Sequence, residues 1–199
     1  MHRIALRLSA AAALALIPAI ASAHPGHEGA AGLAHGFMHP LGGIDHIVAM
    51  VAVGLIAARL GGRALWLVPA SFVATMAVAG LAGMAGIGLA HAEAGIALSL
   101  VVLGAMIALR LTMPVAAAMA LVGFFAIFHG YAHGAEMPET VSGLAYGAGF
   151  LAATGLLHGL GIALGLTIDQ SGDAFGRRTL RLGGTAAMLA GAVLLIGAI

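Results

Sequence analysis

Apolar residues run along this chain in long blocks, and the few charges fall in the breaks between them. Six stretches, roughly 33–58, 64–89, 94–110, 112–134, 141–167 and 180–198, are long and apolar enough to cross a bilayer as helices. Arg59 and Arg63 follow the first stretch, and His91 and Glu93 the second. Arg110 follows the third, and Glu136 and Glu139 the fourth. Asp169, Asp173, Arg177, Arg178 and Arg181 lie between the fifth and sixth. Residues 1–23 carry a different signal. Arg3 and Arg7 precede an apolar run from Leu8 to Ile20, and Ala21-Ser22-Ala23 is a small-residue cleavage site. The predicted fold class is an all-α membrane protein, a six-transmembrane-helix bundle preceded by a cleavable signal peptide. Residues 24–199 form its single domain.

The arginines orient the bundle. With the mature N-terminus outside, loops alternate inward and outward, and Arg59, Arg63, Arg110, Arg177, Arg178 and Arg181 all face the cytoplasm. The signal peptide predicts the same orientation. Six spans return the C-terminus outside, so both mature termini are expected in the periplasm of a bacterial inner-membrane, multi-pass protein. Trp66 is then expected at the inner interface and Tyr146 near the outer one. Small-xxx-small pairs such as Gly130/Gly134, Gly143/Gly147 and Gly155/Gly159 predict tight helix packing.

Composition narrows the function classes. Apolar residues make up 62% of the chain and charged residues 8%, against about 25% charged in a soluble domain. A net charge of +1 gives nucleic acid no basic surface to bind. All eight cations are Arg, so no P-loop lysine exists and the chain has no nucleotide site of that type. With no cysteine, thiolate zinc sites and Fe–S clusters are excluded. Ten histidines is a high number for so apolar a chain.

Three groups of polar residues fall inside the apolar blocks, where an ionisable side chain costs several kcal/mol and marks function. The first is His39-Pro40-Leu41-Gly42-Gly43-Ile44-Asp45-His46, with Met50 one turn later. A regular helix would put His39 and His46 on one face. Pro40 and the Gly42-Gly43 pair predict a local unwinding that re-aims Asp45 toward the same space. The second is Phe128-His129-Gly130-Tyr131-Ala132-His133-Gly134-Ala135-Glu136, whose i, i+4, i+7 spacing aligns His129, His133 and Glu136. The third is His158, with Thr154 one turn earlier. Imidazole and carboxylate are good ligands for borderline divalent metals. His39, Asp45, His46, His129, His133, Glu136 and His158 are therefore the candidate metal-pathway residues. His24, His27, His35 and His91, with Glu28 and Glu93, fall on the expected outer side as candidates for external capture.

At the first two motifs the chain resembles the HupE/UreJ family of nickel–cobalt permeases, which often accompany hydrogenase or urease maturation. The resemblance covers essentially the whole chain. The family's H-P-x-x-G-x-D-H pattern corresponds to His39, Pro40, Gly43, Asp45 and His46. Its F-H-G-x-A-H-G-x-E pattern runs from Phe128 to Glu136, and its fifth-span histidine corresponds to His158. Tyr131 stands where the family often has His. The resemblance implies uptake of nickel or cobalt; composition and spacing alone imply a divalent metal with N/O ligands.

The sequence thus reads as a secondary transporter rather than an enzyme. Ni2+ or Co2+ is its transported substrate, lipid is its surroundings, and no cofactor is tightly bound. Nickel versus cobalt, the energy source, the metalloenzyme supplied and any homo-oligomer are left open. The alternative is a b-type haem-binding membrane protein, since paired helical histidines can ligate haem. An intramembrane metalloprotease is weaker, because no H-E-x-x-H occurs.

Overall fold

The computed structural model describes residues 28–137, 142–171 and 174–199. The signal peptide, His24 and His27, Glu139 and Asp173 lie outside the described residues. The described chain is all helix: α1 (Glu28–Gly42), α2 (Ile44–Leu60), α3 (Ala64–Met84), α4 (Ala92–Ala108), α5 (Val115–Ala135), α6 (Gly143–Ser171) and α7 (Ala174–Ala198). Four of these, α3, α5, α6 and α7, are each long and apolar enough to cross a membrane, so this is a multi-pass membrane protein in contact with lipid. α4 is apolar but only 17 residues long.

The expected first span is two helices. α1 and α2 meet at 86° across Gly43. Pro40 removes the amide that would bond the Gly36 carbonyl, and Gly43 adopts extended backbone (φ −106°, ψ 121°) before α2 restarts. Other boundaries shift for local reasons. α3 stops at Met84 because Gly86 turns the chain at φ 70°, and α5 starts only at Val115, after Pro114. Arg177, Arg178 and Arg181, expected in a loop, stand on the first two turns of α7. There their long side chains can reach the aqueous interface while the backbone stays helical.

Glycines set which helices pair. A side chain on Gly130 or Gly134 would strike the carbonyl of Met76 or Gly80, so this pair brings α5 directly against α3. A side chain on Gly54 would strike the His158 carbonyl, and one on Gly161 the Val51 carbonyl, which locks α2 to α6. Of the other two pairs, a side chain on Gly143 would meet only the flexible ends of Met137 and Met84, and Gly147, Gly155 and Gly159 have open space beside them. α6 backs both halves of the broken element: its first turns meet α1 and its second half meets α2. α4 packs on α7 at the rim. The core between these pairs is built from Met50, Val53, Val68, Phe72, Met76, Leu103 and Val122.

Tyr146 departs from the sequence expectation. It is 1% exposed, wedged between His39 and Phe150, because α6 turns this face to α1 rather than to the bilayer interface. Trp66 is exposed, as an interfacial ring requires.

Candidate metal centre

The break at Gly43 builds one wall of the site. Asp45 lies in the first turn of α2, and its Oδ1 accepts from the His46 amide at 2.9 Å. The same oxygen lies 3.1 Å from His46 Nδ1. A carboxylate can only accept, so His46 carries its proton on Nδ1 and turns the Nε2 lone pair inward. Gly43 has to be glycine for this arrangement. A Cβ there would stand 2.6 Å from Asp45 Oδ1 and 3.0 Å from His46 Nδ1.

α5 builds the opposite wall. His129 and His133 lie one turn apart, both buried, and Glu136 caps the helix at its exposed end. The two motifs, some 90 residues apart in sequence, meet face to face. His39 Nε2 is 3.3 Å from Glu136 Oε2, and His133 Nδ1 is 3.9 Å from the same oxygen. The His46 ring centroid is 4.1 Å from that of His133 and 4.9 Å from that of His129. His39 and His133 stand edge to face at 4.8 Å. One ligand atom each from His39, His133 and Glu136 lie within 4.8 Å of one another.

A cavity of about 770 Å³ joins these walls, with exposed His35 and Met38 near its mouth and buried His46 and His133 at its floor. Three carboxylates line it: Asp45, Glu136 and Glu93 from the start of α4. With neutral imidazoles the lining is anionic and suits a cation. In its lining at His46 and His133, and behind His46 at His129, buried nitrogens lack partners. His46 Nε2, His129 Nδ1 and both nitrogens of His133 make no hydrogen bond among the described residues. Buried polar atoms are paired in the great majority of cases, so orphans concentrated on one surface point to an absent polar guest.

The remaining candidates separate. His158 does not join the cluster. It is also buried, and the Phe72 ring stands between it and His129, 5.2 Å from the first and 5.8 Å from the second. Neither His158 nitrogen nor the Thr154 hydroxyl one turn earlier has a hydrogen-bond partner among the described residues. His35 lines the cavity, and so does Glu93, read from sequence only as an outer-loop residue. His91 ends the α3–α4 connection in left-handed backbone (φ 60°), outside the cavity lining. Met50 is core. Sequence reading missed Ser99 on α4, whose Oγ lies 2.9 Å from His129 Nε2. Its signal is a lone hydroxyl in an apolar helix, with no motif around it. The geometry also bears on haem. His46 packs directly edge to face on both α5 histidines, which leaves no flat slot for a porphyrin between facing imidazoles.

Comparison with known proteins places the chain in a family. The chain is 48% identical over 186 residues to Protein HupE of Rhizobium leguminosarum bv. viciae, a match covering 94% of this chain and 95% of that protein. No solved structure matches. The family described as HupE / UreJ protein matches residues 12–194, nearly the whole chain and both halves of the histidine cluster, and the chain belongs to that family.

Proposed function

We propose that this chain is a secondary permease that takes up nickel or cobalt across the bacterial inner membrane, for delivery to a maturing metalloenzyme. The observation that carries the reading is the convergence of His39, Asp45 and His46 with His133 and Glu136 around one anionic cavity, with His129 packed on His46 behind it and nitrogens of His46, His129 and His133 left unpaired. Neither motif alone readily fills the coordination of a divalent ion. Together they offer four imidazoles and two carboxylates, a donor set suited to borderline first-row ions. Membership of the HupE/UreJ family carries the narrower expectation of nickel and cobalt.

The path has two stages. His39, His133 and Glu136 form the outer stage, near the exposed end of α5. His46 and His129 form the inner one, where both rings are buried. Donors around a single first-row ion sit roughly 3.3 Å apart, so the outer triad has to draw in by about 1.5 Å around its cargo. Beyond Phe72, His158 and Thr154 are the next polar atoms.

Four helices are long and apolar enough to cross, and five spans result if the broken α1–α2 element is one; with the short apolar α4 taken as a sixth, the reading is of uptake rather than a surface site. The packing contacts run in register with this count. α2 and α6 are parallel, α3 and α5 are parallel, and α4 and α7 are antiparallel, as alternating crossings require. The arginines at the end of α2, just after α4 and at the start of α7 then share the inner face, where Arg59 donates to the Arg110 carbonyl at 2.7 Å. The test is metal accumulation in cells expressing the chain, with nickel and cobalt competed against zinc, manganese and copper. Accumulation of nickel or cobalt that the other ions displace only weakly is expected. No gain over cells lacking the chain overturns the reading.

A further inference from the structure

Ser99 and His129 make the one buried side-chain hydrogen bond between α4 and α5 among the described residues. Both residues are fully buried. Ser99 Oγ has two close neighbours: the Ile96 carbonyl oxygen at 2.6 Å and His129 Nε2 at 2.9 Å. The hydroxyl has a single proton. A carbonyl oxygen can only accept, and at 2.6 Å two oxygens with no proton between them would repel. The Ser99 proton therefore lies toward Ile96, one turn back along α4, as is usual for serine inside a helix. That leaves Ser99 Oγ as an acceptor toward α5, and only a protonated Nε2 can donate to it.

A neutral imidazole has one proton. With Nε2 protonated, His129 Nδ1 carries the free lone pair, and Nδ1 is the buried atom without a hydrogen-bond partner. Its neighbour His46 is set by the same logic with the nitrogens exchanged: Asp45 accepts a hydrogen bond from the protonated Nδ1 and leaves Nε2 bare and unpartnered. The two rings stand 4.9 Å apart, edge to face. Two opposite tautomers, each fixed by a different element, thus leave one bare nitrogen on each ring.

We propose that Ser99 is a positioning residue, which holds His129 in the Nε2–H tautomer so that its Nδ1 and His46 Nε2 together receive the divalent cation. This rests on the transport reading above, and the closing experiment keeps the two apart. An outer partner that fixes tautomer and ring orientation ordinarily raises affinity by roughly 10- to 100-fold. Ser99 gives His129 what Asp45 gives His46, but from a neutral group, so no further carboxylate is needed at this depth.

The experiment uses the full chain in detergent, metal-free, with histidine labelled by 15N. The His129→Ala spectrum identifies the His129 resonances. Wild type is expected to show a protonated Nε2 and a bare Nδ1 at His129; a proton on Nδ1 overturns the proposal, and this reading requires no variant at Ser99 to fold. Equilibrium nickel binding supplies the second arm. Ser99→Ala is expected to bind roughly 10- to 100-fold more weakly and to lose the single His129 tautomer, while Ser99→Thr, which keeps the hydroxyl, recovers both. Wild-type affinity and tautomer in Ser99→Ala overturn the proposal. Wild-type affinity in His129→Ala also overturns the proposal, since His129 is then no ligand; absence of metal accumulation in cells overturns the transport reading instead, and leaves the tautomer assignment standing.

Discussion

His46 is the hinge of the site at the scale of single residues. Its ring touches both α5 histidines, its Nδ1 is held by Asp45, and its Nε2 is left for a guest. His129 faces it from the other wall. If both bind one ion, His46→Ala and His129→Ala should each lower uptake by roughly tenfold or more, given that even outer partners of a metal site cost 10–100-fold. The double variant should be hardly worse than either single, because residues that act as a unit are not additive. Uptake normalised to protein in the membrane measures this, and near-normal uptake by either single variant would remove the core of the reading. The same lone pairs predict a pH dependence with a definite sign. An imidazole nitrogen must be unprotonated to hold a metal ion, so protons and metal compete at any histidine site. Equilibrium nickel affinity should therefore fall as pH is lowered from neutral into mild acid. Affinity that stays flat over that range argues against histidine ligation.

At the scale of elements, the break between α1 and α2 aims the site. An unbroken helix through residues 39–46 would leave no N-terminal turn for Asp45 to occupy. The 86° corner at Gly43 supplies one, and continuous α6 behind both halves keeps the corner from becoming a loose joint. Gly43→Ala should push the Asp45 carboxylate off His46 while leaving the helices in contact, since the new methyl meets only the ends of two side chains. The expected result is reduced uptake at unchanged protein level. Gly147→Ala, where an added methyl meets nothing within 4 Å, is the matched control. Equal uptake by the two variants would show that the Asp45–His46 contact is dispensable.

At the scale of the whole molecule, the prediction is topology. A reporter fused after Ile199 should be periplasmic, and reporters in the Arg63 and Arg110 connections cytoplasmic. An active cytoplasmic reporter at residue 199 would change either the number of crossings or the orientation. The chemistry is confined to one side of the molecule. The cavity lies where α1, α2, α4 and α5 converge, while Arg59 on α2, Arg110 after α4, and Arg177 and Arg181 on α7 gather around a separate small pocket holding Asp169 of α6.

Sequence alone determined that the chain is helical and membrane-embedded, because runs of about twenty apolar residues have few other stable states. It also singled out the residues proposed for the site, since histidine and carboxylate inside such runs are costly without a role. The Pro40–Gly43 disruption was legible for the same kind of reason: proline and paired glycines act locally. Tertiary structure alone decided the rest. Nothing in the spacing says that Tyr146 is buried beside His39, that Phe72 stands between His129 and His158, or that Glu93 reaches the same cavity as Asp45. These depend on how helices rotate about their axes. In a uniformly apolar bundle no amphipathic stripe fixes that rotation, so backbone contact at Gly54, Gly130, Gly134 and Gly161 does. Ser99 is the sharpest case. A hydroxyl in an apolar helix has no sequence signature, and its meaning comes wholly from the Ile96 carbonyl on one side and the His129 ring on the other.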